Sequence, residues 1–183
     1  MACFHFKTER LLLRPLQLAD APAIAAQIGD YDVAKNLSTV PHPYVLYDAE
    51  DFIARMEEKR ASGSDFVFAI LRANDSALIG CIGLHLKEGF FEFGYWLGKA
   101  HWGQGYASEA ARKLAGFAFG ELKAEKLVAG WFHDNPASGH VLEKLGAVPN
   151  GVETRDCLAR GHAVQCNMMV LARENFGRKR TPA

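Results

Sequence analysis

No uninterrupted apolar stretch in the chain approaches the ~18 residues that a membrane-spanning helix requires, so a soluble protein with no membrane partner is expected. Net charge is missing as well. Lysine plus arginine and aspartate plus glutamate both number 21 among 183 residues, leaving no overall field to draw in nucleic acid or an anionic surface. Cysteine is scarce, and Cys3, Cys81, Cys157 and Cys166 form neither a CxxC pair nor a zinc spacing with histidine. With no secretory leader in the sequence, reduced thiols, a cytoplasmic location and a site without metal are the expectation. Internal repeats and linkers are also absent. The one local excess of charge, Arg178-Lys179-Arg180, reads as a solvated end.

What is present fits a globular protein: 49% apolar and 23% charged residues. The length predicts a single domain over 8–176, followed by a basic tail over 177–183. Residues 10–16 read as an edge-type strand with Pro15 near its end, where a missing N–H is tolerated. Asp20 is placed to cap a short helix through Ile28, and Asp48 with Asp51 to cap an amphipathic one that Gly63 stops. An antiparallel meander is expected over 66–71, 78–86 and 90–97, with turns at Asn74-Asp75-Ser76 and Lys87-Glu88-Gly89. A helix over 106–122, a strand over 127–133, a helix over 137–145 ending at Gly146, and strands over 152–157 and 164–171 around an Ala159-Arg160-Gly161 turn complete the pattern. The fold class is α/β: a mixed, mostly antiparallel central sheet with helices on both faces and a C-terminal β-hairpin.

The chemistry concentrates in residues 90–110, FFEFGYWLGKAHWGQGYASEA. A strand ends at Leu97, a turn carries Gly103 and Gly105, and a helix opens near Tyr106 with Ser108 and Glu109 in its first turn. Unpaired N–H groups at such a helix start sit at the positive end of its dipole and can hold a phosphate, and the glycines let the backbone come close to it. A nucleotide-binding Walker loop is disfavoured, because no lysine and hydroxyl pair follows the last glycine. Further on, Asn135-Pro136-Ala137-Ser138 opens the helix that runs into Leu142-Glu143-Lys144-Leu145-Gly146.

Together these blocks resemble the GNAT superfamily of acyl-CoA N-acyltransferases. Trp102-Gly103-Gln104-Gly105-Tyr106-Ala107 matches motif A at Gly105 and Ala107, with Trp102 where Gln or Arg is usual. The Asn135 and Ser138 block looks like motif B, and Arg10-Leu11-Leu12-Leu13-Arg14 is similar to the first strand of the Rim-type acetyltransferases of ribosomal proteins. The resemblance implies that the family's fourth and fifth strands, here 90–97 and 127–133, splay apart to admit acetyl-CoA. It assigns the pantetheine arm to Tyr95 and Leu97, the pyrophosphate to Trp102, Gly103, Gln104, Gly105, Tyr106, Ala107 and Ser108, and a further bond to Asn135.

The reaction implied is direct attack of a neutral amine, from a protein N-terminus or a small molecule, on the thioester. An ammonium is not a nucleophile, so a base must take its proton. Glu92 is the candidate, since it alternates with Gly94 and Trp96 toward one face; His101 and His133 are weaker ones. Ser138 is the hydroxyl that the resemblance assigns to protonating the departing thiolate, because Leu142 stands where many relatives have a tyrosine. Cys157 falls where some relatives carry a glutamate, with Asp156 facing the other way. Those two departures support an alternative, a catalytically silent acyl-CoA-binding module. Trp96, Trp131, Tyr31, Tyr44 and Tyr47 are available to line an acceptor pocket, and a homodimer is compatible with the family.

Overall fold

The computed structural model describes residues 4–177. Cys3 and the basic run at 178–180 lie outside the described residues. Eight strands form one sheet: β1 (Phe6–Lys7), β2 (Leu11–Pro15), β3 (Asp65–Arg72), β4 (Leu78–Lys87), β5 (Phe90–Leu97), β6 (Lys126–Phe132), β7 (Val148–Cys157) and β8 (His162–Ala172), in the order β1-β2-β3-β4-β5-β6-β8-β7. Every pairing is antiparallel except β5 with β6. That lone parallel pair needs a crossover, which the helix α4 (Tyr106–Gly120) supplies.

The expected meander is there because its strands alternate cleanly between two cores. Ile82 and Leu84 of β4 pack with Phe68, Leu114 and Phe117 beneath α4 and α5 (Pro136–Leu145). Cys81, one residue out of phase, packs on the opposite face with Ile24 and Ile53 of helices α1 (Ala21–Ile28) and α3 (Leu46–Ser62). β3 is buried along nearly its whole length, as a central strand covered on both faces must be.

Three expectations are corrected. β2 is not an edge strand: Phe6 and Lys7 pair with Leu13 and Leu12, anchored by the Phe6 ring against Phe68 and Phe117 at 5.3 and 5.0 Å. Asp20 does not cap α1 with its side chain; it is buried, accepts the Gln17 N–H at 2.8 Å and pairs with both terminal nitrogens of Arg14 at 2.7 Å. α3 starts two residues before Asp48, whose carboxylate accepts the Val45 N–H from the third helical position, while Asp51 pairs with Arg55. A short helix, α2 (Tyr31–Ala34), was not foreseen.

The sheet's functional feature is a split. β5 and β6 are in register only at Phe91 with Leu127 and Glu92 with Val128. β4 accompanies β5 all the way to Leu97, and β8 accompanies β6 to Phe132, so beyond Glu92 the two halves diverge. The strands that the resemblance expected to splay do so here.

Candidate active site at the split in the sheet

On leaving the split, β5 passes through a 3-10 turn, Lys99–His101, and reverses over Gly103 and Gly105, with φ of 71° and 81°. Only glycine takes such left-handed angles without a steric penalty. Gly105 caps α4, and the first bond of that helix is donated by Glu109 N–H to the Gly105 carbonyl at 3.1 Å. Among the described residues, no backbone acceptor meets the N–H groups of the six residues from Gly103 to Ser108. Six consecutive free donors, three of them in the first turn of a 15-residue helix, make a concentrated anion site.

Side chains brace this loop from outside. The Trp102 indole donates to the Leu97 carbonyl at 2.8 Å and Gln104 Nε2 to Ala100 O at 2.9 Å, so Trp102 closes the turn where the motif usually has Gln or Arg. Arg10 donates to the Gln104 carbonyl at 3.0 Å and to Glu109 at 2.7 Å, with its guanidinium 4.7 Å from the Tyr106 ring centre. Burial works to raise the Glu109 pKa, but bonds from Thr8 and from the Arg10 backbone and side chain hold it below the usual value. An ionised Glu109 keeps Arg10 in place. The role of Arg10 is invisible in the local sequence, since its partners lie about a hundred positions away.

Asn135 occupies the N-cap of α5 without making a cap bond. Its Nδ2 donates instead to Ser138 Oγ at 3.1 Å, and the Tyr95 hydroxyl donates to the same oxygen at 3.3 Å. Burial pushes the Tyr95 phenol up, with the Ser138 bond opposing it, so Tyr95 stays a donor. Ser138 thus has its lone pairs engaged and its own hydrogen left to give. Leu142 lies in the core and offers nothing polar.

Glu92 lies on the other face of β5, on the side of α1 and α3. Its carboxylate pairs with Arg155 of β7 and, at 3.7 Å, with Lys87. Directly across the register stands His85, and across from His85 stands Asp65. Gly94 and Gly83 face each other in the next row, and a Cβ on Gly94 would meet nothing within 4 Å. The sheet is bare at Gly94, one step past the last β5–β6 pair, whereas Val67 and His85 lie over Gly83. Of the other sequence candidates, His133 and Asp156 are exposed, while Cys157 is buried with its sulfur toward the Lys35 and Leu37 carbonyls. His101 is half-buried, its pKa lowered by burial and by Arg72. Trp96 and Tyr44 pack with the α1–α3 core, where burial and Asp48 push the Tyr44 phenol up to about 12. Tyr47 is exposed, Tyr31 packs edge-on to His42, and Trp131 lies against Gly139 on the α5 side. No group of three metal-ligating side chains occurs among the described residues. No helix among them is long and apolar enough to cross a membrane.

Residues 10–148 match the model of the acetyltransferase (GNAT) domain family. Over 172 residues the chain is 30% identical to the uncharacterised N-acetyltransferase p20 of Bacillus licheniformis, covering 92% of this chain and 96% of that one. The fold is shared with the ribosomal-protein-S5-alanine acetyltransferase of Vibrio fischeri, at a TM-score of 0.82, 18% identity and coverage of 96% and 100%. It is shared too with Mycobacterium smegmatis RimJ, solved in complex with CoA-disulfide, at 0.81, 16% identity and coverage of 92% and 85%. The split sheet, the donor-rich loop and these likenesses agree: the chain belongs to the GNAT family and is an acetyl-CoA-dependent N-acetyltransferase.

Proposed function

We propose that the protein transfers an acetyl group from acetyl-CoA to a primary amine, on a protein N-terminus or a small molecule, by direct attack within the split. The observation that carries this reading is the run of free N–H groups from Gly103 to Ser108 beside the opening between β5 and β6. In it, the N–H groups from Gly103 to Ser108 receive the pyrophosphate, Trp102 closes the turn with its own N–H on the Lys99 carbonyl, and the pantetheine arm follows Tyr95 and Leu97, with Asn135 at the far wall. A bound acetyl-CoA supplies the activated thioester; the chain's residues handle the protons.

Glu92 and Ser138 stand on opposite faces of the split, which suits a proton taken on one side and a thiolate stabilised on the other. The Glu92 carboxylate attracts the arriving ammonium and holds the water through which it is deprotonated. Attack forms the C–N bond and expels the thiolate, and the Ser138 hydroxyl, polarised by Tyr95 and Asn135, donates to that sulfur. The thiolate is a weak enough base that this hydrogen bond stabilises it without full transfer, and its proton comes from solvent.

Time-dependent release of CoA thiol with a panel of peptides bearing free N-termini and small primary amines tests the reading. Amine-dependent release is expected. Binding of acetyl-CoA with no release for any amine would instead mark a silent binding module, the reading that Leu142 and Cys157 favour.

A further inference from the structure

We propose that His85, oriented by Asp65, is the catalytic base that finally receives the amine proton. The proposal rests on the acetyltransferase reading above and names a residue of that site which the sequence alone did not single out. Asp65 opens β3 with its side chain only 5% exposed, and a buried carboxylate requires partners. It has two: His85 Nδ1 at 2.9 Å and Lys59 Nζ of α3 at 3.2 Å. Burial works to raise the Asp65 pKa, but the His85 and Lys59 interactions outweigh it and leave the carboxyl below its ordinary value. An ionised Asp65 accepts from Nδ1–H, which fixes the tautomer with the lone pair on Nε2.

That nitrogen lies over Gly83, beside the bare part of the sheet at Gly94. A Cβ built on Gly83 would lie 3.3 Å from His85 Nε2 and 2.8 Å from Val67 Cγ2, so the ring and Val67 together cover Gly83 and leave its cross-strand partner Gly94 open. Among the described residues Nε2 has no hydrogen-bond partner, and the His85 side chain is 36% exposed. Bare Gly94 lies between the covered Gly83 on one side and the start of the split on the other. Glu92 is itself drawn into ion pairs with Arg155 and Lys87, whereas the His85 lone pair is unencumbered. The groups facing this imidazole are Asp65 and Val67 from β3, Lys59 from α3, Glu92 from β5, Lys87 from its own strand and, beyond Glu92, Arg155 from β7.

In the step, the amine nitrogen bonds to the thioester carbon and the C–S bond breaks. The proton on nitrogen passes through the water held at Glu92 to Nε2, giving an imidazolium that Asp65 stabilises. The thiolate, hydrogen-bonded by Ser138, takes a proton from solvent, and the imidazolium gives its proton back to solvent. Atoms and charge balance as amine plus thioester to amide plus thiol.

The test compares wild type, His85→Gln and Asp65→Asn in acetyl-CoA binding by calorimetry and in thiol release with n-butylamine and an alanyl peptide amide as acceptors. His85→Gln is expected to bind acetyl-CoA within about twofold of wild type and to lower kcat by about 10²–10⁴, the usual cost of losing a base. The acid-side fall of kcat with pH should lose its plateau in the variant. Equal kcat and equal pH profiles in the two proteins would overturn the proposal while leaving the acetyltransferase reading intact; failure of wild type to bind acetyl-CoA would defeat that reading itself. ¹⁵N NMR of the wild-type imidazole, with CoA present, decides independently of turnover. A neutral ring protonated at Nδ1, and lost as the main tautomer in Asp65→Asn, is expected; a neutral ring protonated at Nε2 would overturn the proposal.

Discussion

The two sides of the split are built from different materials. The donor side is backbone: consecutive N–H groups on a turn of two glycines, with side chains only bracing it. The proposed acceptor side is side chains: Asp65, His85 and Glu92 meet through the register of adjacent strands, and Arg155 reaches Glu92 from β7, past β6 and β8. A cofactor common to a whole family is held by groups every residue has. An acceptor particular to one protein is met by groups that can change singly, which is how one scaffold serves many acceptors.

The largest effect should follow from damaging the backbone side. Gly105→Val places a β-branched residue at φ 81°, with Arg10 3.4 Å from the new Cβ, so the loop must shift its donors. With charge-assisted bonds worth ~1.5–3 kcal/mol each, loss of two should weaken acetyl-CoA binding about a hundredfold or more by calorimetry, while circular dichroism shows the fold retained. Affinity unchanged from wild type would break the comparison.

Next in size is the acceptor side. Glu92→Gln should lower kcat at neutral pH by about a hundredfold, at the low end of what a proton-transfer group contributes, and leave acetyl-CoA affinity within about twofold. If affinity falls instead, Glu92 belongs to the donor side. Ser138→Ala, which removes the hydrogen bond given to an already stable thiolate, should cost about tenfold in kcat, the worth of one good hydrogen bond, measured by thiol release at saturating amine.

The donor loop was legible because its information is local. Glycine spacing, a strand end and a helix start lie within a few residues of one another, and the strands at 66–71, 78–86 and 90–97 were marked by apolar runs separated by turn residues. β1 was not legible, for two residues are held there by rings more than sixty positions away. His85 read as one more polar residue on an alternating strand. Nothing in its neighbours announces Asp65 twenty positions earlier, and Arg155 stands 63 positions from Glu92. Sheet register brings Asp65, His85 and Glu92 together, and the β7–β8 hairpin carries Arg155 to them.

The smallest effect expected is on stability against pH. Asp65 has a depressed pKa, so its contribution is complete above the unfolded value of about 4 and lost as pH falls through the lower folded value. Tyr44, raised to about 12, stabilises below the unfolded value of about 10 and ceases to do so as pH climbs toward 12. Thermal melts of Asp65→Asn should therefore lose part of the wild-type dependence on the acid side and keep the alkaline one. An unchanged acid limb would show that the Asp65 network does not stabilise the fold.

Amide NMR of uniformly ¹⁵N-labelled protein titrated with CoA tests the central claim most directly. The account predicts that the largest shifts fall on the N–H groups from Gly103 to Ser108, moving downfield as they take up the pyrophosphate, followed by Tyr95 and Leu97 along the split. Saturable binding that left those six amides unmoved and perturbed another surface would contradict it.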